Sequence, residues 1–342
     1  MRTTSFRITP LLLSVLAIWP VTGSSQPAAL TPPPPDGPAI RSMIQQIRDR
    51  AGPRWEQTVH FWCEAPKPNL ADDPAIKPTE IFDGVYVIGN RGTVIYVLRT
   101  TAGLMMIDAL GDAEGPATDA QRAAQLLPGF ASLGLDPAQV KLILVTHGHA
   151  DHWGGARYFQ EHFGTKVYVS QADWELMQRP PPPNPVTKEP PRSPTPLPKL
   201  DGQIEDGKPI VFGDLTLQPV ALPGHTPGTM GFIFPVKDHG TKHVAALFGG
   251  VWLLPQLVSD DGLATFVASV GKFAAATRRA HVDVALQNHP LMLPLPQQLE
   301  RIAAREAHGP NPFVIGRQDY QKFLGVLEGC TRVNIARRRQ DR

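Results

Sequence analysis

The run Val140-Lys-Leu-Ile-Leu-Val-Thr-His-Gly-His-Ala-Asp-His152 governs how the rest of the chain is read. Its first six residues are apolar except for Lys141, a pattern that fits a strand covered on both faces. The exit of that strand carries His147, His149, Asp151 and His152 within six residues. Neutral imidazole nitrogens and a carboxylate oxygen are donors that Zn²⁺ takes at about 2.0–2.2 Å. Alternate residues leaving a strand project in related directions, and a following turn swings the next donors round. One such segment can therefore serve two adjacent metals. A solvated turn accounts for a single histidine there, but poorly for three with an aspartate.

On either side, the pattern predicts strands alternating with helices. Upstream it predicts a short helix at Ile40–Arg50, then strands at Val85–Ile88, Thr93–Leu98 and Leu104–Ile107, the last ending at Asp108. A helix is predicted at Thr118–Leu127. Downstream come a helix at Gly155–Phe163 stopped by Gly164, a strand at Lys166–Ser170 and a helix at Ala172–Met177. After a proline-rich interval, strands resume at Ile210, Leu215–Ala221, Met230–Phe234 and Val244–Phe248. A helix at Leu263–Ala280, a strand at Val282–Leu286 and helices at Leu295–Ala307 and Arg317–Leu327 complete the prediction. Such alternation in both halves indicates a layered α/β domain.

Two more histidines fall just past predicted strand ends: His225 in Pro223-Gly-His-Thr-Pro-Gly228, and His289 before Pro290. Open α/β sheets place their sites at such ends. The other six histidines (His60, His162, His239, His243, His281, His308) lack that setting and read as surface or structural residues. Together the three segments resemble the metallo-β-lactamase superfamily, whose hallmark is the HxHxDH pattern seen here as His147 to His152. The resemblance covers roughly Pro78 to Pro290. It implies an αββα sandwich, two mixed β-sheets flanked by helices, with a shallow site for two Zn²⁺ at one sheet edge.

Carried over by position, the resemblance assigns His147, His149 and His225 to the first zinc, and Asp151, His152 and His289 to the second. It implies a bridging hydroxide as nucleophile, with Asp151 as the catalytic residue orienting it. Asp108 and Thr226 would hold the ligands in place, and Trp153, Val251 and Trp252 would line the substrate pocket. Many superfamily hydrolases have a metal-bridging aspartate where this chain reads Gly249-Gly250-Val251-Trp252. That difference makes the chain most like the third metallo-β-lactamase subclass. The serines that this subclass uses near Val251 to hold a β-lactam carboxylate are absent. The reading is an exported di-zinc hydrolase opening a β-lactam or related cyclic amide or ester in a small molecule. A lactonase or esterase on the same scaffold, or a catalytically silent zinc-binding module, are the alternatives.

The 342-residue chain is 42% hydrophobic and 19% charged, enough for a large core. A formal charge of +2 argues against a nucleic-acid binder relying on net electrostatics. Residues 1–25 read as a signal peptide, with Arg2 and Arg7 before the apolar run Leu11 to Trp19 and small residues Gly23, Ser24 and Ser25 at the cut. This predicts a periplasmic or secreted protein with no membrane span after processing. The expected organisation is a proline-rich linker and N-terminal extension over 26–77, the metallo-β-lactamase-like domain over 78–310, and a C-terminal helix and tail over 311–342. Arg337, Arg338 and Arg339 are read as a solvated tail. The two cysteines, Cys63 and Cys330, are expected to form one disulfide, in keeping with export. Of 37 prolines, six lie between Pro27 and Pro38 and ten between Pro180 and Pro198. The second tract is read as a semi-rigid flap beside the site, because proline fixes φ.

Overall fold

The structure, a computed structural model, describes residues 36–64, 75–111, 124, 126–179, 195–253, 255, 258–290 and 293–340. The expected signal segment, the first proline tract up to residue 35, and residues 180–194 of the second lie outside these.

Helix α1 (Pro38–Ala51) starts with proline in its first turn and stops at Gly52, with Ile40, Ile44, Ile47 and Ala51 buried along one face. Short α2 (Glu56–Val59) leads into a π-helical turn over His60–Glu64. A meander follows: β1 (Thr79–Phe82), β2 (Val85–Gly89), β3 (Val94–Thr100) and β4 (Gly103–Ile107). Then come α3 (Leu127–Ser132), β5 (Val140–Leu144), α4 (Ala150–Trp153), α5 (Ala156–Phe163), β6 (Lys166–Val169), α6 (Gln171–Met177) and β7 (Gly202–Gln203). The second half holds β8 (Ile210–Phe212), β9 (Leu215–Ala221), β10 (Met230–Asp238) and β11 (Thr241–Leu247). Helix α7 (Asp260–Arg279), β12 (Val284–Leu286), α8 (Leu295–Ala303) and α9 (Arg317–Gln340) end the chain.

Strands β1 to β7 form one sheet in chain order, antiparallel through β4 and parallel from β4 to β7. The other sheet runs β12-β11-β10-β9-β8, with only β11–β12 parallel. Both sheets are mixed, and the period of two along each strand explains how they stack. Val87, Tyr96, Leu98, Met105, Ile107 and Leu144 meet Phe232, Phe234 and Leu247 in a core between the sheets. Their neighbours Ile88, Ile95, Val97, Met106 and Ile143 point the other way, onto Phe130 and Phe159 of α3 and α5. Ile233 and Ala246 leave the second sheet outward, onto α1, α7 and α9. The fold is the expected αββα sandwich.

Helix ends follow local chemistry. Gly164 takes a left-handed conformation (φ 66°) to stop α5. Ser259 caps α7 by accepting from the Gly262 amide, with acids in its first turn and Arg278 and Arg279 in its last.

The helix expected over Thr118–Leu127 lies almost wholly outside the described residues; the helix α3 that follows begins at Leu127, where Pro128 suits a first turn. Two expectations are corrected. The helix expected to run to Ala307 ends at Ala303. The last helix does not stop at Leu327, and Arg337 and Arg338 are not a solvated tail. Arg337 donates to both Asp36 oxygens at 2.7 Å and to the Cys63 carbonyl at 2.7 Å. Arg338 donates to Asp260 at 2.6 Å and to the carbonyls of Pro255 and Val258. A disulfide joins Cys63 to Cys330 of α9 across 267 residues of chain.

Candidate metal centre

Strand ends from both sheets converge on one place. The exit of β5 brings His147, His149, Asp151 and His152, the turn after β9 brings His225, and the exit of β12 brings His289. Asp108 follows β4 with φ 65°, a backbone position rarely held by a residue with a side chain. The β2–β3 turn closes one side.

The donors fall into two triads. His225 Nε2 lies 3.0 Å from His147 Nε2 and 3.0 Å from His149 Nδ1. His152 Nε2 lies 3.1 Å from His289 Nε2 and 3.2 Å from Asp151 Oδ2, which is 3.6 Å from His289 Nε2. The rings of His147 and His152, 3.9 Å apart, join the two. All six residues expected from the sequence are therefore brought together: His147, His149 and His225 cluster on one side, and His152 and His289 lie close to both His147 and Asp151.

The hydrogen bonds at the back of each ring test whether a cation fits. His289 Nδ1 lies 2.7 Å from the Gly92 carbonyl, which can only accept, so Nδ1 carries the proton. His152 Nδ1 donates to the Asp108 carboxylate at 2.7 Å. Both rings therefore turn Nε2 lone pairs toward each other and toward the Asp151 carboxylate. Three acceptors around one point repel unless a positive charge lies among them. In the first triad, the Thr146 hydroxyl donates to Asp108 at 2.9 Å and accepts from His147 Nδ1 at 3.1 Å. His147 also presents its Nε2 lone pair inward. Separations near 3 Å suit donors at about 2.0–2.1 Å from a tetrahedral ion.

Electrostatics agree. Burial, then the neighbouring imidazoles, push His147 and His225 well below the usual histidine pKa, leaving neutral donors. His289 is brought down to about 4 by burial and by His152. Burial opposes a charge on His152 too, yet the carboxylates of Asp151 and Asp108 outweigh it and hold that pKa at about 10. Burial likewise disfavours the Asp151 carboxylate, but His152, His289 and His149 keep it well below the ordinary range. The second triad thus demands positive charge, as a proton or as a metal.

Residues with no local sequence signal hold this arrangement. Buried Asp173 of α6 accepts from the Gly148 amide (2.8 Å), the Gly228 amide (2.8 Å) and the Thr226 hydroxyl (2.6 Å), tying the loop of His149 to the loop of His225. Asn288 Nδ2 donates to the Gly249 carbonyl at 2.6 Å and contacts Asp108 and Thr146. Thr93 Oγ1 stands 3.4 Å from both Asp151 and His289. Gly250 is required by close approach: a Cβ there would sit 2.8 Å from the His225 ring. The run Gly249-Gly250 thus makes room for the histidine.

Of the residues expected around the ligands, Asp108 bonds directly to His152, whereas Thr226 bonds to Asp173 and Thr229. The expectation that Trp153 and Val251 line a pocket is corrected. Val251 is wholly buried between sheet and helices, and Trp153 is buried with its indole nitrogen on the Gly148 carbonyl at 3.0 Å. Trp252 is half-buried, edge-on to the His289 ring at 5.3 Å.

A sequence profile of the metallo-beta-lactamase superfamily matches residues 88–238. A hydroxyacylglutathione hydrolase of Haemophilus influenzae is 30% identical over 118 residues, covering 32% of this chain and 50% of that protein. The chain thus spans half the length of that relative. An uncharacterized protein of Mycobacterium tuberculosis is 31% identical over 254 residues, 68% of this chain and 97% of its own length. The crystal structure of a subclass B3 metallo-beta-lactamase of Bradyrhizobium japonicum is similar in fold, with a TM-score of 0.60 and 27% identity, covering 74% of this chain and 91% of that one. The two donor triads stand at the strand ends of this shared fold, and the chain belongs to the metallo-beta-lactamase superfamily.

Proposed function

We propose that the protein is an exported di-zinc hydrolase that opens a β-lactam or a related cyclic amide or ester. The observation that carries this reading is the pair of adjacent triads, one of buried neutral imidazoles and one whose carboxylate demands a positive charge beside it. In it, His147, His149 and His225 hold one zinc, and Asp151, His152 and His289 hold the other. Zinc bound there would polarise a substrate carbonyl and lower the pKa of a water nucleophile. The rest falls to the chain. Asp151, a quarter exposed at the rim, would orient the attacking water. Asp108 keeps His152 in one tautomer, so that Nε2 stays a donor. Trp252 offers an apolar wall beside His289 for the substrate body. Three protein donors per ion leave positions open, as catalytic rather than structural zinc sites do.

The likeness to a subclass B3 enzyme supports the β-lactam reading. The missing hydroxyls around Val251 favour a lactone or ester instead, as does the likeness to a hydroxyacylglutathione hydrolase. Metal analysis of gently purified protein is expected to find about two zincs per chain; less than about one would end the zinc assignment. A panel of penicillins, cephalosporins, carbapenems, lactones and esters, with chelator reversal, separates the substrates. Full zinc loading with no turnover of any would favour a binding module. Export is tested by the mass of periplasmic protein, expected to lack residues 1–25.

A further inference from the structure

Helices α1, α7 and α9 border a cavity of about 710 Å³, open to solvent on one side, that none of the metal-centre residues lines. Around it stand Arg50, Arg278, Arg317, Lys322 and Arg332, with Glu328 as the only acid in the lining. In a chain of formal charge +2, that is a strong local excess. Glu328 is occupied by Arg332 at 2.9 Å. Lys322 shares Asp319 with Arg54, at 3.2 and 2.7 Å. Arg50 donates to the Gln46 carbonyl at 3.0 Å. Among the described residues, Arg278 and Arg317 pair with no carboxylate. Cations brought together from three helices repel one another, and a concave wall concentrates their field on whatever enters.

The floor makes room for a ligand. Gly325 and Gly329 lie four residues apart on the face of α9 that lines the cavity. Gly329 is dictated by packing, since a Cβ would sit 2.8 Å from the Ile47 side chain. Gly325 is not: a Cβ there would meet nothing within 4 Å. Glycine in a helix interior is destabilising, and here no neighbour demands it. What it does is deepen the cavity between the cations, over the apolar floor of Ile47, Ala51 and Val326.

We propose that this cavity binds a small organic polyanion bearing phosphate or sulfate ester groups. Its volume is that of a small-molecule site, and its concave wall suits a compact ligand. Arginine forks match the oxygens of phosphate and sulfate in pairs, and the apolar floor takes the organic body.

The test titrates sucrose octasulfate, a compact polyanion, into the zinc-loaded protein by calorimetry, with neutral sucrose as the control. Saturable binding is expected for the octasulfate alone, weakening at least ~10-fold as salt rises from about 50 to 300 mM. The double variant Arg278→Glu/Arg317→Glu, at exposed positions, should bind at least ~10-fold more weakly. Gly325→Leu, which fills the floor without changing charge, should do the same. Zinc content and hydrolysis should be unchanged in both. Unaltered binding in both variants would place the anion elsewhere, the metal centre included, and overturn the proposal. So would the absence of binding by the parent protein. So too would binding confined to phosphatidylglycerol vesicles, which would make the surface a lipid contact.

Discussion

Asp108 and Asp173 are each a single carboxylate that organises several groups, and they do different work. Asp108 fixes the tautomer of His152 and receives the Thr146 hydroxyl, so it acts on metal affinity. Asp108→Asn should retain the fold but lower affinity in the second triad about 10–100-fold, read by competition with a chromophoric chelator. An unchanged affinity would remove Asp108 from any role in orienting His152. Asp173 touches no metal donor, yet joins two donor loops through three hydrogen bonds. Asp173→Ala orphans the Gly148 and Gly228 amides at a cost of about 1–3 kcal/mol each, while the Thr226 hydroxyl keeps Thr229, so a loss on the order of 2 kcal/mol or more is expected by urea unfolding, with activity falling alongside. The histidines were legible because they cluster beyond strand ends. Asp173 was not, because its partners at Gly148, Thr226 and Gly228 are distant in sequence and nothing in helix α6 marks it as more than an ordinary polar residue.

Strands with both faces buried were the easiest elements to read, since β3, β4 and β5 are apolar nearly throughout and end within a residue or two of expectation. The distal half of α9 was misread for a physical reason. Its apolar stripe thins to Cys330, Val333 and the partly buried Ile335 and Ala336, and its terminal arginines look solvated until Asp36, 301 residues away, is brought beside Arg337. Strand β10 is linked to the segment after α8 by another such pair, Asp238 with Arg305 at 2.6 and 2.7 Å. The hydrogen bonds from Arg305 hold the Asp238 pKa below its ordinary 3.8. A depressed folded-state pKa stabilises the fold above the unfolded value, and that contribution fades as pH falls through the folded one. In metal-free protein, Asp238→Asn should therefore melt below the parent by a constant margin from about pH 7 to 5, and the margin should shrink below about pH 4. A margin independent of pH would mean that the pair contributes no charge-dependent stability.

At the scale of the molecule, the fold class followed from strand–helix alternation. The roles of the helices on the second sheet did not, because sequence gives no sign of which helix covers which face. The positive charge that the second triad lacks must come from somewhere in any state of the protein. Chelation should therefore lower the melting temperature by several degrees, and zinc should restore it, since a ligand at 1,000 times its Kd stabilises by ~4 kcal/mol. Identical melting with and without chelator would mean that the triads do not hold metal at working concentrations.

The bond between Cys63 and Cys330 has one more outcome. Nearly all of the folded chain, with every metal donor, lies between its two ends, so a protease cutting once in that interval severs the polypeptide without releasing a fragment. Singly nicked protein should run as one band on a non-reducing gel and as two after reduction. A single backbone cut would then leave the donor-bearing pieces tethered, able to re-dock at high local concentration.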